Sequence, residues 1–177
     1  MEHALRIELY LGDITLLETE AIVNAANPSL LGGGGVDGAI HKAAGPELLR
    51  ETQLLGGCRT GDAKITSGYN LPAKFVIHTV GPVWNEGRSK EYELLKSCYS
   101  RSLELARENN ISSLAFPSIS TGIYGFPYMP AAEIAVNTVV EYIEEYAIPE
   151  KIVFVCFSEE VFSIYQGLLH TRGFTQV

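Results

Sequence analysis

The sequence predicts an α/β fold in which helices cover both faces of a mixed, mostly parallel sheet. Strand-like and helix-like segments alternate along the chain, which is typical of this fold class. The later strand segments are continuous apolar runs, as expected for strands that are buried on both faces. The length of 177 residues favours one domain, residues 1–177.

The first half of the chain contains two predicted strands and two predicted helices. The strands are residues 5–11 and residues 21–24, and the second of them is a short apolar run. A long polar and glycine-rich passage, residues 25–35, follows the second strand. We expect a helix over residues 36–44 and another that begins at Pro46, because proline fits the first turn of a helix.

The second half continues the alternation of strands and helices. The predicted strands are Ala63–Ser67, Phe75–Val80, residues 114–116 and residues 152–157. Helices are expected over residues 89–109 and residues 130–146, and Ser158 is positioned to cap a last helix. A second glycine-bearing loop, residues 118–130, follows the strand at 114–116.

Charge and cysteine content exclude several classes of protein. Lysine and arginine number 13 against 21 aspartate and glutamate residues, which gives a formal net charge of −8 and argues against non-specific binding of nucleic acid. An anionic ligand would then be held by backbone N–H groups. The cysteines Cys58, Cys98 and Cys156 lack the pattern of a disulfide framework or a zinc site. Without a signal peptide or an apolar run of about 20 residues, we expect no membrane association and a cytoplasmic location.

The two glycine-bearing loops are the first indication of a ligand site. Both follow predicted strands, and ligands of such folds bind beyond the carboxyl ends of the strands. In the first loop, the four glycines at 32–35 allow positive φ and close approach of a ligand to the backbone. Their N–H groups and the following helix start can hold a diphosphate. The alternative is a mobile surface loop.

Residues 33–38 also match the GxGxxG pattern of dinucleotide-binding proteins. The match is weak, because residues 28–31 separate the glycines from the preceding strand. Gln53, inside a predicted helix, stands near the position where that fold needs an acidic residue. A nucleotide-cofactor enzyme therefore stays a remote alternative.

Four polar side chains near the first loop are candidates for chemistry. Asp37 lies in the first turn of the predicted helix, where the helix dipole stabilises an acidic side chain whether or not it has a chemical role. His41 follows on the same helix face. Asn24 and Asn27 follow the strand and can either form turns or bind sugar hydroxyl groups. In the second loop, Tyr124 can lie against a sugar or a base.

The sequence resembles macrodomains of the MacroD type over nearly its whole length. Most of the resemblance is carried by the motifs NAAN at residues 24–27 and LLGGGGVDGAIHKAAG at residues 30–45. Further matches are GDA at 61–63, HTVGP at 78–82 and FPSISTGIYG at 116–125. The resemblance implies a three-layer α/β/α fold that binds ADP-ribose.

The resemblance also implies roles for individual residues. Asp13 would accept a hydrogen bond from the adenine amino group, beside the Ile14 amide, and Phe157 would stack on adenine unless it is a core strand residue. Asn27 would orient the distal ribose, and Tyr124 would pack over it. The implied ligand-binding residues are Asp13, Ile14, Asn24, Gly33, Gly34, Gly35, Val36, Ser120, Thr121, Gly122, Ile123, Tyr124, Gly125 and Phe157.

The resemblance further implies hydrolysis without a cofactor or a metal. Proteins of the MacroD type deacetylate O-acetyl-ADP-ribose and remove ADP-ribose from acidic side chains of mono-ADP-ribosylated proteins. The implied catalytic residues are Asp37, Asn27 and His41, where Asp37 deprotonates or positions water and His41 orients Asp37. The alternative is a reader module that binds ADP-ribose without turning it over.

Overall fold

The computed structural model describes residues 6–174 and contains one six-stranded sheet within that range. The strand order is β1-β6-β5-β2-β4-β3, and every neighbouring pair is parallel except β3 with β4, which is antiparallel. The strands are β1 (Arg6–Leu11), β2 (Ala21–Ala26), β3 (Ala63–Ser67), β4 (Phe75–Val80), β5 (Ser113–Phe116) and β6 (Lys151–Cys156). The prediction of a mixed, mostly parallel sheet is therefore confirmed.

Five helices cover the two faces of the sheet within the described range. They are α1 (Gly35–Ala44), α2 (Pro46–Leu55), α3 (Glu91–Glu108), α4 (Tyr128–Tyr146) and α5 (Glu159–Thr171). The larger hydrophobic cluster joins α3, α4 and α5 to one face of the sheet through residues such as Leu95, Val136 and Phe154. The second cluster joins α1 and α2 to the other face through Ile22 and Ile40. The fold is thus three layers, α/β/α.

The period of two along a strand explains how one sheet serves both clusters. Ile22 belongs to the α1 and α2 side and its neighbour Val23 to the opposite side, and both are fully buried. This is the reason that the strands carry continuous apolar runs. No helix within residues 6–174 combines the length and apolar character that crossing a bilayer requires.

Several element boundaries differ from the prediction. β2 continues through Ala25 and Ala26 because these residues pair with Thr79 and Val80 of β4, which outweighs their weak strand preference. β6 ends at Cys156, one residue before Phe157. Residue 5, predicted as the start of the first strand, lies outside the described residues.

Three helices begin at other residues than predicted, and the first of them, α1, begins at Gly35, one residue before residue 36. α4 begins at Tyr128, two residues before Pro130, because proline is tolerated within the first turn of a helix. α3 begins at Glu91, later than residue 89, and its carboxylate accepts a hydrogen bond from the Ser89 amide. A short 3-10 helix, Ile14–Leu16, was not predicted. Pro46 and Ser158 stand at helix starts as expected.

Candidate functional site

A cleft of about 810 Å³ lies at the carboxyl ends of β2, β5 and β6. β5 lies between β2 and β6, so the loops that follow these three strands meet at one edge of the sheet. The volume is in the range of sites for small ligands and cofactors. The predicted site residues that line the cleft are Asn27, Gly33, Gly34, Gly35, Val36, Asp37, Ser120, Thr121, Gly122, Ile123, Tyr124 and Phe157.

The first glycine loop lines the cleft with backbone, because Gly33, Gly34 and Gly35 have no side chains. Gly32 and Gly35 have φ of +89° and +58°, a conformation that side chains rarely adopt. Gly34 is the N-cap of α1, and no side chain within residues 6–174 caps that helix start. The first N–H groups of α1 therefore stay available to an anion in the cleft.

The cleft holds no cationic side chain among the described residues that line it. Asp37 is the one carboxylate of that lining. An anionic ligand would consequently be held by amide groups and helix starts, as the negative net charge of the chain suggested. Within residues 6–174, no group of three or more His, Cys, Asp or Glu side chains is arranged to hold a metal ion.

Asp37 lies on the inner face of α1 and is 4% exposed. Its Oδ1 accepts a hydrogen bond of 2.8 Å from Nδ2 of Asn24 and lies 3.4 Å from Nε2 of His41. Its Oδ2 accepts no hydrogen bond from the described residues and faces Gly33. The carboxylate is thus fixed through one oxygen, and the other oxygen is left for a molecule in the cleft.

Asn27 lies beside Gly33 in the first glycine loop. Its Nδ2 donates to the Gly32 carbonyl oxygen at 2.9 Å, and its Oδ1 accepts from the Ser29 hydroxyl at 2.7 Å. A Cβ placed on Gly33 would lie 3.2 Å from both Asn27 Nδ2 and Asp37 Oδ2. Two of the three predicted catalytic side chains, Asn27 and Asp37, therefore converge on Gly33, whereas His41 lies beside Asp37 and does not line the cleft. Asn27 also has the turn-forming role that was its alternative.

Asn24 was predicted to contact the ligand, and the structure does not place it in the cleft. Its side chain is fully buried and does not line the cleft. Its Nδ2 donates to Asp37 and also lies 3.1 Å from Nδ1 of His78, whereas its Oδ1 has no partner among the described residues. The structure therefore places Asn24 beneath Asp37, as an internal support for the carboxylate.

The second glycine loop is held by its backbone. The Gly125 amide donates to the Gly122 carbonyl oxygen, and the Phe126 amide donates to the Ser120 carbonyl oxygen, both at 2.9 Å. Ser120 has φ of +67°, and its buried hydroxyl has no partner among the described residues. Gly125 closes the turn and does not line the cleft, whereas Ile123 is 100% exposed at its rim.

Of the residues predicted to contact adenine, Phe157 lines the cleft, whereas Asp13 and Ile14 do not. Phe157 lies just past β6, is 66% exposed and lines the cleft. The alternative prediction, that Phe157 is a core residue of the strand, is therefore wrong. Asp13 is exposed and lies outside the lining. Its Oδ1 accepts from the Thr15 amide and hydroxyl, which caps the 3-10 helix. Ile14 is fully buried at the start of that helix.

Sequence reasoning did not single out His78, which the structure places next to Asn24 beneath the cleft. It is fully buried on β4, where it pairs with Asn24 of β2. Burial, and then the nearby His41, lowers the pKa of His78 to about 3, so the ring is neutral. The signal was a polar residue inside an apolar strand, because buried polar groups need hydrogen-bonding partners.

Comparison with known proteins identifies the family. The Macro domain family matches residues 23–135. An Escherichia fergusonii protein named O-acetyl-ADP-ribose deacetylase is 56% identical over 172 residues, which cover 95% of this chain and 97% of that protein. The chain therefore belongs to the Macro domain family.

Two solved structures share the fold. The Oceanobacillus iheyensis macrodomain with ADP is 47% identical, with a TM-score of 0.91 over 97% of this chain and 94% of that chain. The Trypanosoma brucei macrodomain in complex with ADP-ribose is 45% identical, with a TM-score of 0.86 over 93% of this chain and 69% of that chain. Both are named for adenine nucleotides that carry a diphosphate.

Proposed function

We propose that this chain binds ADP-ribose in the cleft and hydrolyses O-acetyl-ADP-ribose to ADP-ribose and acetate. The observation that carries the proposal is the convergence of Asn27 and Asp37 on Gly33, at the start of an uncapped helix inside the cleft. The related Escherichia fergusonii protein named for this deacetylase activity matches 95% of the chain. A binding module alone would need the loops but not this pair of side chains.

The diphosphate is proposed to lie between the two glycine loops. The amides at the start of α1 and in the second loop donate to its oxygens, since the described lining holds no lysine or arginine. Phe157, exposed beside the cleft, gives adenine an aromatic face for stacking. This placement directs the distal ribose towards Asn27 and Asp37.

Asp37 is proposed to act on the attacking water through Oδ2. Oδ1 already accepts a hydrogen bond from the Asn24 amide and lies 3.4 Å from Nε2 of His41, so the carboxylate has a defined orientation. The water adds to the acetyl carbon, and the ribose oxygen leaves with a proton. A carboxylate at this position either takes the proton from the water or holds the water in line.

We propose in addition that the chain removes ADP-ribose from glutamate and aspartate side chains of mono-ADP-ribosylated proteins. These modified side chains are esters of the same ribose, so the same water and carboxylate serve both substrates. The cleft is open at its rim, where Ile123 is fully exposed, and a protein-linked ribose needs such an opening.

The test is to incubate the chain with O-acetyl-ADP-ribose and, separately, with a protein that is mono-ADP-ribosylated on glutamate. Mass spectrometry follows the release of acetate and of ADP-ribose. Calorimetric titration with ADP-ribose runs in parallel. Release from both substrates is expected. Binding without release from either substrate would contradict hydrolysis and leave the reader module.

A further inference from the structure

Beneath the cleft, a buried chain of hydrogen bonds runs from β3 to Asp37. Thr66, His78, Asn24 and Asp37 are all buried, at 3%, 0%, 0% and 4% exposure. His78 of β4 pairs with Asn24 of β2 in the sheet, and Thr66 lies on β3, which pairs with β4 on its other edge. These side chains extend the sheet face that α1 covers.

The proton positions along this chain follow from what each group can donate. The Thr66 hydroxyl donates its single proton to the Ser67 carbonyl oxygen at 3.1 Å. It therefore accepts at its 2.9 Å contact with His78 Nε2, which must carry the ring proton. Nδ1 of His78 then has a free lone pair and accepts from Nδ2 of Asn24 at 3.1 Å.

Asn24 transmits this arrangement to Asp37. Its amide nitrogen has two protons, one donated to His78 Nδ1 and the other to Asp37 Oδ1. Its Oδ1 has no partner among the described residues, so the two N–H bonds alone fix the amide orientation. An amide turned the other way would place its oxygen against the carboxylate and two acceptors in contact.

We propose that His78, held in its Nε2–H tautomer by Thr66, is a positioning residue that orients Asp37 through Asn24. Neither His78 nor Thr66 lines the cleft, and both act only through the hydrogen-bond chain. The proposal rests on the proposed function, in which Asp37 Oδ2 acts on water. A carboxylate that is held at one oxygen keeps the other oxygen aimed at the reacting atoms, and small displacements there lower the rate.

Thr66 offers a nearly isosteric test at a distance from the ligand. In Thr66→Val the acceptor for Nε2–H is lost, so either tautomer of His78 leaves one buried N–H unpaired. We expect kcat for O-acetyl-ADP-ribose to fall about tenfold, with KM and the Kd for ADP-ribose changed by less than about twofold. Thr66→Ser keeps the hydroxyl and should restore kcat, which a role in packing alone would not do.

His78 itself gives a second pair of variants. His78→Leu removes the acceptor for Asn24, whereas His78→Asn can present Oδ1 near the position of Nδ1 although it fills less space. We expect His78→Leu to have the lower kcat even if His78→Asn has the lower melting temperature. The reverse order of kcat, or rates within about twofold of the parent for folded Thr66→Val and His78→Leu, would overturn the proposal.

Nuclear magnetic resonance decides the proposal independently of turnover. The ¹⁵N shifts of the His78 ring should report a neutral ring protonated at Nε2. The ¹³C shift of the Asp37 carboxyl carbon should change in Thr66→Val and return in Thr66→Ser. A ring protonated at Nδ1, or an Asp37 signal unaffected by Thr66→Val, would refute the positioning role. If the parent chain binds ADP-ribose but releases nothing, the proposed function fails and these signals still test the orientation of Asp37.

Discussion

The two sides of the cleft are built by different means. On the β2–α1 side, residues 24–41, the polar side chains of Asn24, Asn27 and Asp37 are held by side-chain hydrogen bonds. On the β5–α4 side, residues 117–128, backbone hydrogen bonds span the loop, and the Thr121 hydroxyl adds a hydrogen bond to the Ser118 hydroxyl at 2.8 Å. The Tyr124 carbonyl oxygen accepts from the Trp84 amide at 2.8 Å. Trp84 is in turn packed against Tyr92 and Phe126.

The difference indicates a division of labour within the site. A catalytic carboxylate needs a fixed orientation, which a network of hydrogen-bonded side chains provides. A diphosphate needs donors that it can approach closely, which exposed backbone provides at little cost in side-chain contacts. Substitutions that disturb the hydrogen-bonded polar side chains of the β2–α1 side should therefore change the rate, and substitutions at exposed loop backbone or of Phe157 should change affinity.

The largest effect is expected for Asp37→Asn. The amide oxygen can still accept from Asn24 Nδ2, so the fold is retained, but the charge that acts on water is lost. We expect kcat for O-acetyl-ADP-ribose to fall about 100-fold or more, with the Kd for ADP-ribose changed less than about threefold. Acetate release and calorimetry measure the two quantities. Unchanged turnover would remove Asp37 from the mechanism and with it the division between the two sides.

The buried His78 makes the β2–α1 side sensitive to acid. Burial lowers its pKa from 6.5 to about 3 in the folded chain, whereas in the unfolded chain it binds a proton below about pH 6.5. Stability is therefore unaffected by this residue above that pH and falls as the pH drops from about 6.5 towards 3. The expected loss is about 2 kcal/mol between pH 8 and pH 5.

Urea unfolding of the parent and of His78→Asn measures this contribution. The difference in the free energy of unfolding between the two chains should shrink as the pH falls through that range. Residues 117–128 contain no histidine, so the β5–α4 side contributes no such titration. A difference that stays constant from pH 8 to pH 5 would show that folding does not lower the pKa of His78.

Phe157→Ala is expected to affect affinity alone. The side chain is 66% exposed in the free protein, so the free energy of unfolding should change by less than about 0.5 kcal/mol. Loss of an aromatic face for adenine should weaken ADP-ribose binding about tenfold and leave kcat unchanged. Titration and thermal unfolding test this. A lower melting temperature with unchanged Kd would assign Phe157 to the packing of the chain.

The layers of this fold could be predicted because strands buried on both faces and glycine loops are each visible in a short stretch of sequence. The glycine loop before Asp37 and the cap at Ser158 were found in this way. The family resemblance supplied Phe157, and the structure places it at the cleft. Whether each of these residues has its predicted role stays a prediction.

The contacts that were not predicted from the sequence depend on the register between strands. Asn24 and His78 are 54 positions apart, and only the pairing of β2 with β4 brings them to 3.1 Å. The orientation of Asn24 away from the cleft follows from that pairing, since its amide protons are used beneath the carboxylate. The extension of β2 to Ala26 has the same origin, because pairing with β4 overrides local preference.

The smallest and most discriminating effects are expected within the first glycine loop. A Cβ on Gly34 meets no atom within 4 Å, and φ of −94° suits alanine, so Gly34→Ala should leave the free protein unchanged. The methyl group would project where an anion approaches the helix start. We expect the Kd for ADP-ribose to weaken about fivefold, with kcat retained.

Gly33→Ala is the matched control, one residue away. Its Cβ would lie 3.2 Å from both Asn27 Nδ2 and Asp37 Oδ2, so these groups must shift by a few tenths of an ångström. We expect kcat to fall about fivefold, with a smaller change in Kd than in Gly34→Ala. Kinetics and calorimetry on the two variants separate the effects. Equal changes in kcat for both would mean that the loop acts as one unit, and that contact of Gly33 with the catalytic pair has no separate importance.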